Sequence, residues 1–390
     1  MKDGAQIPKG YQQTEVGVVP EDWDVMPLGQ FLALRRGHDL TERNRRRGDV
    51  PVMGSAGLSG FHDTSLARGP GLVLGRSGAS FGQAHYCQED FWPHNTALYV
   101  TDFLGNHPLF SFFFLRSIDF TRHNSGGAQQ SLNRNFIAPI LVAIPKRLEQ
   151  EAIAEALNDA DAFIESLEQL LAKKRRLKQG VMQELLTGKR RLPGFSGLRE
   201  IRRMGELVLL SKSGVNPGST PDALFNHFSL PAFDSGAMPI VEPGSLIGSN
   251  KFVMPTGAVL FSKLNPRIPR IWAPSHIPNN AVCSTEFLVL IPRDGIDRAF
   301  LAATCRSEAV SYQMALHAIG TTGSHQRINP SQAMTIEVRI PIDKPEQAAI
   351  AAVLSDMDAE IAALEDKLAK ARNVKQGMMQ ELLTGRIRLV

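Results

Sequence analysis

The most constraining feature of this sequence is that it repeats itself. Residues 149–192 match residues 346–389 at a constant offset of 197, without a gap. Roughly two-thirds of the aligned positions are identical, a strength chance rarely produces. The densest stretch is KQGVMQELLTG, residues 178–188, against KQGMMQELLTG, residues 375–385. A chain built this way must fold as two related halves, whatever each half does.

The likeness extends upstream more weakly. Gly127, Gln130, Asn133, Ile144 and Pro145 align with Gly323, Gln326, Asn329, Ile340 and Pro341 at an offset of 196. Near the start of each half, residues 25–29 resemble residues 201–205, and each half keeps a Gly-x-Val-Leu strand, at 71–74 and 257–260. Elsewhere the halves diverge. The expected plan is a first globular domain over 1–148, a helical segment over 149–192, a second globular domain over 193–345 and a helical segment over 346–390.

The repeated segments read as long helices. Ile153, Leu157, Ala160, Ile164, Leu167 and Leu171 alternate spacings of four and three, as do Ile350, Leu354, Met357, Ile361, Leu364 and Leu368. That spacing is the a/d seam of a coiled coil. Gly188 and Gly385 stand where C-terminal caps are expected. Gly180 and Gly377 fall inside the helices, where glycine costs about 1 kcal/mol relative to alanine. A tolerated defect and a site of close helix approach both fit them. A second helix folded back antiparallel along the first would give the chain pseudo-two-fold symmetry.

The diverged regions read as mixed α/β (α+β), with short strands at 71–74, 97–100, 258–261 and 287–291 between many Gly and Pro turns. Helices are expected over 108–118 and 298–317, and strands over 137–144 and 334–340. With 43% apolar and 21% charged residues and a net charge of +4, the composition is that of a globular protein that tolerates an anionic partner. No apolar run long enough to cross a membrane is present, and the start carries no apolar leader, so a cytoplasmic protein is expected. Cys87, Cys283 and Cys305 are far apart and odd in number, which suits buried thiols in a reducing compartment. His62, His85, His94 and His276 lack the spacing of a metal site. No Gly-x-Gly-x-x-Gly, phosphate-loop or Asn/Asp-Pro-Pro-Tyr motif occurs, so no catalytic residue and no metal ligand is expected.

Several stretches together resemble a known family. They are the opening Gly17-x-x-Pro20-x-x-Trp23, the strand motif GLVLGRSGASFG at 71–82, Cys283-Ser284-Thr285-Glu286-Phe287, and the two KQG tails. The chain resembles the specificity subunit of type I restriction-modification enzymes over essentially its whole length. The resemblance implies two target-recognition domains separated by two long antiparallel coiled-coil helices. It also implies a non-catalytic subunit that reads a bipartite target in double-stranded DNA, while the helices set the spacer. Its implied partners are two methyltransferase subunits and restriction subunits. No cofactor is expected on this chain; S-adenosylmethionine, ATP and Mg belong to the partners. A self-sufficient enzyme and a coiled-coil protein with protein-binding ends are the competing readings.

Phosphate contacts call for Lys and Arg, and base edges for Arg, Asn, Gln and Lys. In the first domain Arg35 and Arg36, with Arg45 and Arg46 inside the run 43–47, form the densest basic patch; a solvated loop is the alternative. Arg76 and Ser77 follow a strand into a Gly-rich loop suited to phosphate or to a structural turn. Gln129, Gln130 and Asn133 lie in a polar loop whose counterpart carries Gln326, Arg327 and Asn329. Recurrence in both halves fits a shared task, either phosphate contact or capping of the next segment. Lys212, Lys263, Asn265, Arg267 and Arg270 complete the candidates in the second domain.

Overall fold

The computed structural model describes residues 7–123, 131–320 and 326–390. Gln129 and Gln130 lie outside the described residues. Two compact units share the chain. One joins Met1–Glu168 to Asp366–Val390, and the other is Gln169–Glu365.

The first unit is organised around an antiparallel sheet in the order Ala33–Arg36, Ala97–Asp102, Gly71–Gly75, Ala84–Cys87. The alternation of side chains along a strand divides the core. Leu72 and Leu74 face Phe110, Phe113 and Phe114 of the helix Pro108–Ser117. Val73, between them, packs on the opposite face with Met53, Phe91 and Tyr99. That face meets a smaller sheet in the order Gly57–His62, Val50–Gly54, Trp92–Pro93. The helix begins where expected because Pro108 presets its first turn and the His107 side chain accepts from the Phe110 amide at 3.3 Å.

The second unit repeats this frame. Its sheet runs Val208–Ser211, Phe287–Pro292, Val259–Ser262, Ile271–Trp272. The smaller sheet differs, with five strands in the order Gly214–Val215, Lys251–Val253, Ala281–Ser284, Leu224–Phe228, Ile240–Pro243. The strand expected over 137–144 is a short helix, Arg134–Ile137, followed by the strand Leu141–Ile144. Likewise the strand expected over 334–340 begins only at Glu337 and runs to Pro341. The single helix expected over 298–317 is two, Arg298–Cys305 and Glu308–Leu316. Ser307 breaks it by capping, its hydroxyl accepting from the Val310 amide at 3.3 Å.

The long helices are Arg147–Thr187 and Lys344–Leu382. Their seam is buried at Ile153, Leu157 and Ile350, which are fully enclosed, and at Leu167, Leu171, Leu354 and Leu368, while Ala160, Ile164, Met357, Ile361 and Leu364 are half-buried. Each fully enclosed side chain contributes about 1.5–3 kcal/mol through burial. Gly188 and Gly385 take the left-handed conformation of C-terminal caps, at φ of 78° and 72°.

Within the first unit the two helical stretches run antiparallel: Asp161 pairs with Lys375 and Glu168 with Arg372. Within the second unit Asp358 pairs with Lys178 and Glu365 with Arg175. These are the same contacts with the partners exchanged, since each residue stands 197 positions from its counterpart. The duplicated segment has therefore kept its complement as well as its sequence.

The buried acid at the start of each helix follows the same rule. Glu149 receives Arg388 at 2.7 Å and the Trp23 indole N–H at 2.9 Å. Glu346 receives Arg191 at 2.5 Å and Arg199 at 2.8 Å. The neighbouring amides share two bonds. Gln150 accepts from the His107 amide at 2.8 Å and donates to the Pro145 carbonyl at 2.9 Å. Gln347 accepts from the Asp297 amide at 2.8 Å and donates to the Pro341 carbonyl at 2.9 Å.

Candidate nucleic-acid interface

The strongest basic candidates in the first unit follow the strand Ala33–Arg36. Arg35 and Arg36 are exposed at its end. In the run 43–47 the arginines divide by what they touch. Arg45 is tucked in, donating to the Ser59 carbonyl at 2.9 Å. Arg46 is exposed and paired with Asp63 at 2.8 Å. Arg43, Asn44 and Arg47 are exposed and without a side-chain partner among the described residues.

Asp39, Arg43, Asn44, Arg46, Thr64 and Trp92 line a concavity of about 490 Å³. His62 lies beneath it, buried, edge-on to Trp92 at 5.1 Å. Polar side chains above an aromatic floor can offer both base-edge bonds and stacking.

Arg76 plays a different part. Its guanidinium donates to the Asn95 carbonyl at 2.9 Å and to the Leu132 carbonyl at 3.4 Å. Its own carbonyl accepts from the Leu132 amide at 2.8 Å. Burial, and then the nearby charge of Arg36, lower its pKa from the ordinary arginine value. Ser77 pairs with Ser131 across the same junction. The arginine thus braces the strand end against the segment that leads into the helix Arg134–Ile137.

Asn133 caps that helix, its side chain accepting from the Asn135 amide at 3.0 Å. Asn329 caps Pro330–Ala333 in the same way, accepting from the Ser331 amide at 3.2 Å. Of the two tasks considered for the recurring asparagines, capping is the one the fold displays.

In the second unit Lys263 stands where Arg76 stands in the first. Its amide donates to the Glu286 carbonyl at 2.8 Å, and its carbonyl accepts from the Ile328 amide at 3.1 Å. Asn265 turns the loop at a φ of 48° and donates its amide to the Gln326 carbonyl at 2.8 Å. Arg327 bonds Glu286 at 3.0 Å. Lys263, Asn265, Gln326, Arg327 and Asn329 are therefore gathered at one junction. Arg270 lies apart, gripping Asp234 through two nitrogens at 2.7 and 3.0 Å. Lys212 and Arg267 are exposed and unpaired among the described residues.

Three of the four candidate histidines and the thiols have bonds or burial of their own, while His276 is exposed. His62 Nδ1 accepts from the Arg46 amide at 3.1 Å, His85 Nε2 lies 3.1 Å from the Ser55 carbonyl, and His94 Nδ1 lies 2.9 Å from the Thr96 hydroxyl. All three cysteines are buried, and burial pushes Cys283 and Cys305 up to about 12. Such thiols are poor nucleophiles and poor ligands. Among the described residues no helix is long and apolar enough to cross a membrane.

A second kind of surface recurs on the helical tails, one that sequence inspection missed. In the second unit Gln179, Met182, Gln183, Leu186 and Thr187 line a groove of about 460 Å³ beside the helix Glu308–Leu316. In the first unit Gln376, Met379, Gln380, Leu383 and Thr384 line one of about 670 Å³ beside Arg116. The five residue types and their spacing are identical. The signal that would have found them is the identity itself: the tail repeat is denser than its buried seam requires. A Cβ built on Gly180 or Gly377 meets nothing within 4 Å, so neither glycine serves packing inside its own unit.

Comparison with known proteins fits this frame. The family model described as "Type I restriction modification DNA specificity domain" matches residues 20–174. A curated relative, the type I restriction enzyme EcoprrI specificity subunit of Escherichia coli, is 24% identical over 145 residues, 36% of this chain and 36% of the relative. The alignment thus spans about a third of that protein's length. Among solved structures, the S subunit of a type I restriction-modification system from M. genitalium superposes with a TM-score of 0.62 at 14% identity, covering 92% of this chain and 96% of that one. A chain from work on complex assembly and conformational transition of the type I R-M system gives 0.58 at 16% identity, covering 95% and 99%. Those two likenesses establish the fold along nearly the whole chain.

Proposed function

We propose, from the premise that residues 20–174 carry a type I restriction modification DNA specificity domain, that this chain is the DNA-recognition subunit of a type I restriction-modification assembly. Each unit reads one half of a bipartite target in double-stranded DNA. The chain performs no chemistry itself. Two methyltransferase subunits dock on it, restriction subunits complete the assembly, and S-adenosylmethionine, ATP and Mg are bound by those partners in the cytoplasm.

One observation carries this reading: a constant frame with a changed insert. Both units share the same sheet order, capped helix and buried acid, yet their smaller sheets have three and five strands. Two readers that differ only where bases would be met can recognise two different half-sites. The basic residues supply phosphate affinity in this reading. Arg43 and Asn44 of the first unit, unspent above Trp92, are the best placed to meet base edges. The paired grooves of the tails support docking of two copies of one partner, because the five tail residues they share offer the same helix face twice.

The test is to exchange the region 1–148 for that of another such chain and map methylated adenines in cells that also supply the partners. One half of the target should change and the other remain. A change in both halves, or in neither, would reject the two-reader scheme.

A further inference from the structure

Two units that read different bases still meet the same phosphate backbone, so a cation held at one place in both frames suits phosphate rather than a base. Sheet register identifies such a place. In the first unit Arg35 lies opposite Tyr99 and Arg36 opposite Leu98 on the neighbouring strand. In the second unit Ser211 lies opposite Val289, which occupies the position of Tyr99. The next residue, Lys212, therefore takes the place of Arg36.

Both side chains stand where the chain leaves the main sheet for the smaller one. After Arg36, the His38 amide donates to the Pro93 carbonyl of the smaller sheet at 2.7 Å. After Lys212, the Ser213 carbonyl accepts from the Val253 amide of the smaller sheet at 2.8 Å. Both are exposed and unpaired among the described residues.

Each has a second cation near it at the same sheet end. Arg76 follows the next strand but one in the first unit, across Ala97–Asp102, and Lys263 does so in the second, across Phe287–Pro292. Glu286 is paired with Arg327, while Asp39, hydrogen-bonded by the neutral Asn95 amide, is one charge against Arg35, Arg36 and Arg76. Positive charge at this corner is thus left for an anion outside the chain.

Resting on the reading of the chain as a DNA-recognition subunit, we infer that Arg36 and Lys212 are equivalent phosphate anchors, one for each half-site. They hold each unit on the backbone without regard to sequence, and the divergent sheets read from that fixed footing.

The experiment measures duplex binding against salt for the full chain with its methyltransferase partner. The probes are a duplex carrying the target found by methylation mapping and a random-sequence duplex. Arg36→Gln and Lys212→Gln should each flatten the slope of log K against log salt by about 1 on both duplexes. The ratio of target to random affinity should stay unchanged, and Arg36→Lys and Lys212→Arg should keep the wild-type slope. Thermal melting, unchanged for exposed residues, verifies the fold. A lost ratio with an intact slope would make the residue a base reader, and an unchanged slope would make it a bystander; either overturns the inference. Wild-type protein that binds both duplexes equally rejects the recognition reading, while the slopes on random duplex still decide the anchors. Wild-type protein that binds neither duplex overturns both.

Discussion

Glu346 is buried with two arginines and shows how much this frame relies on charge inside the molecule. Desolvation opposes its ionisation, yet hydrogen bonds from Arg199 and Arg191 outweigh that and hold its carboxyl below the ordinary glutamate range. Removing one partner from such a group leaves uncompensated charge, at a cost of about 3–5 kcal/mol. Glu346→Ala should therefore lower the unfolding free energy of the second unit by that order, read as a lower urea midpoint with the m-value retained. The sign of the pH effect follows from the depressed value. The stabilisation is complete above the ordinary glutamate pKa and is lost as pH falls through the folded one. Wild-type and Glu346→Ala stabilities should accordingly converge in acid; a constant difference down to the acid transition would show that ionisation is not the source. In the first unit Trp23 stands in for one arginine, donating its indole N–H to Glu149. That exchange was hidden in the sequence because the opening Gly-x-x-Pro-x-x-Trp and the later Arg199 share no alignment.

At the scale of elements, the two cap glycines make a controlled comparison. A Cβ on Gly385 would lie 2.6 Å from Pro20 and 3.1 Å from Trp23, whereas one on Gly188 meets only the flexible Arg199 at 3.0 Å. Both positions have positive φ, so both alanine variants carry backbone strain of about 1 kcal/mol. Gly385→Ala should lose measurably more than Gly188→Ala in denaturant unfolding, since a proline ring cannot swing aside. The mid-helix glycines predict the opposite sign. Gly180→Ala with Gly377→Ala should raise stability by up to about 1 kcal/mol per site, and should weaken methyltransferase binding if close approach by a partner is what retains them. The long helices themselves were plain in the sequence because a four-three alternation of apolar residues has one simple solution. The break at Arg306–Ser307 was not, because one serine hydroxyl on one amide outweighs a continuous helical pattern. Candidate site residues divided along the same line. Residue type alone marked Arg36, Arg76, Lys212 and Lys263 equally. Only the folded chain shows that Arg76, through guanidinium and backbone, and Lys263, through its backbone, brace a junction while Arg36 and Lys212 stand exposed.

For the whole molecule, the composition of the first unit sets the order in which it can be completed. Its core includes Leu382 and Leu383 together with Leu28, Phe31 and Ile153. Its first strand also closes on the far end of the chain, the Tyr11 hydroxyl donating to the Gly385 carbonyl at 2.8 Å. The second unit is one continuous stretch, Gln169–Glu365. Domains usually form from the amino-terminal side as the chain emerges from the ribosome, but here the half made before the second unit must wait for residues 366–390, made after it. Chains arrested before residue 366 should show protease protection across the second unit while the first remains open to cleavage. Extension through residue 390 should then protect the first. A nascent first unit already protected at that arrest point would show that its core closes without the tail. Quality control during synthesis is thus built into the connectivity: a prematurely ended chain leaves its earliest-made half unfinished and open to proteolysis.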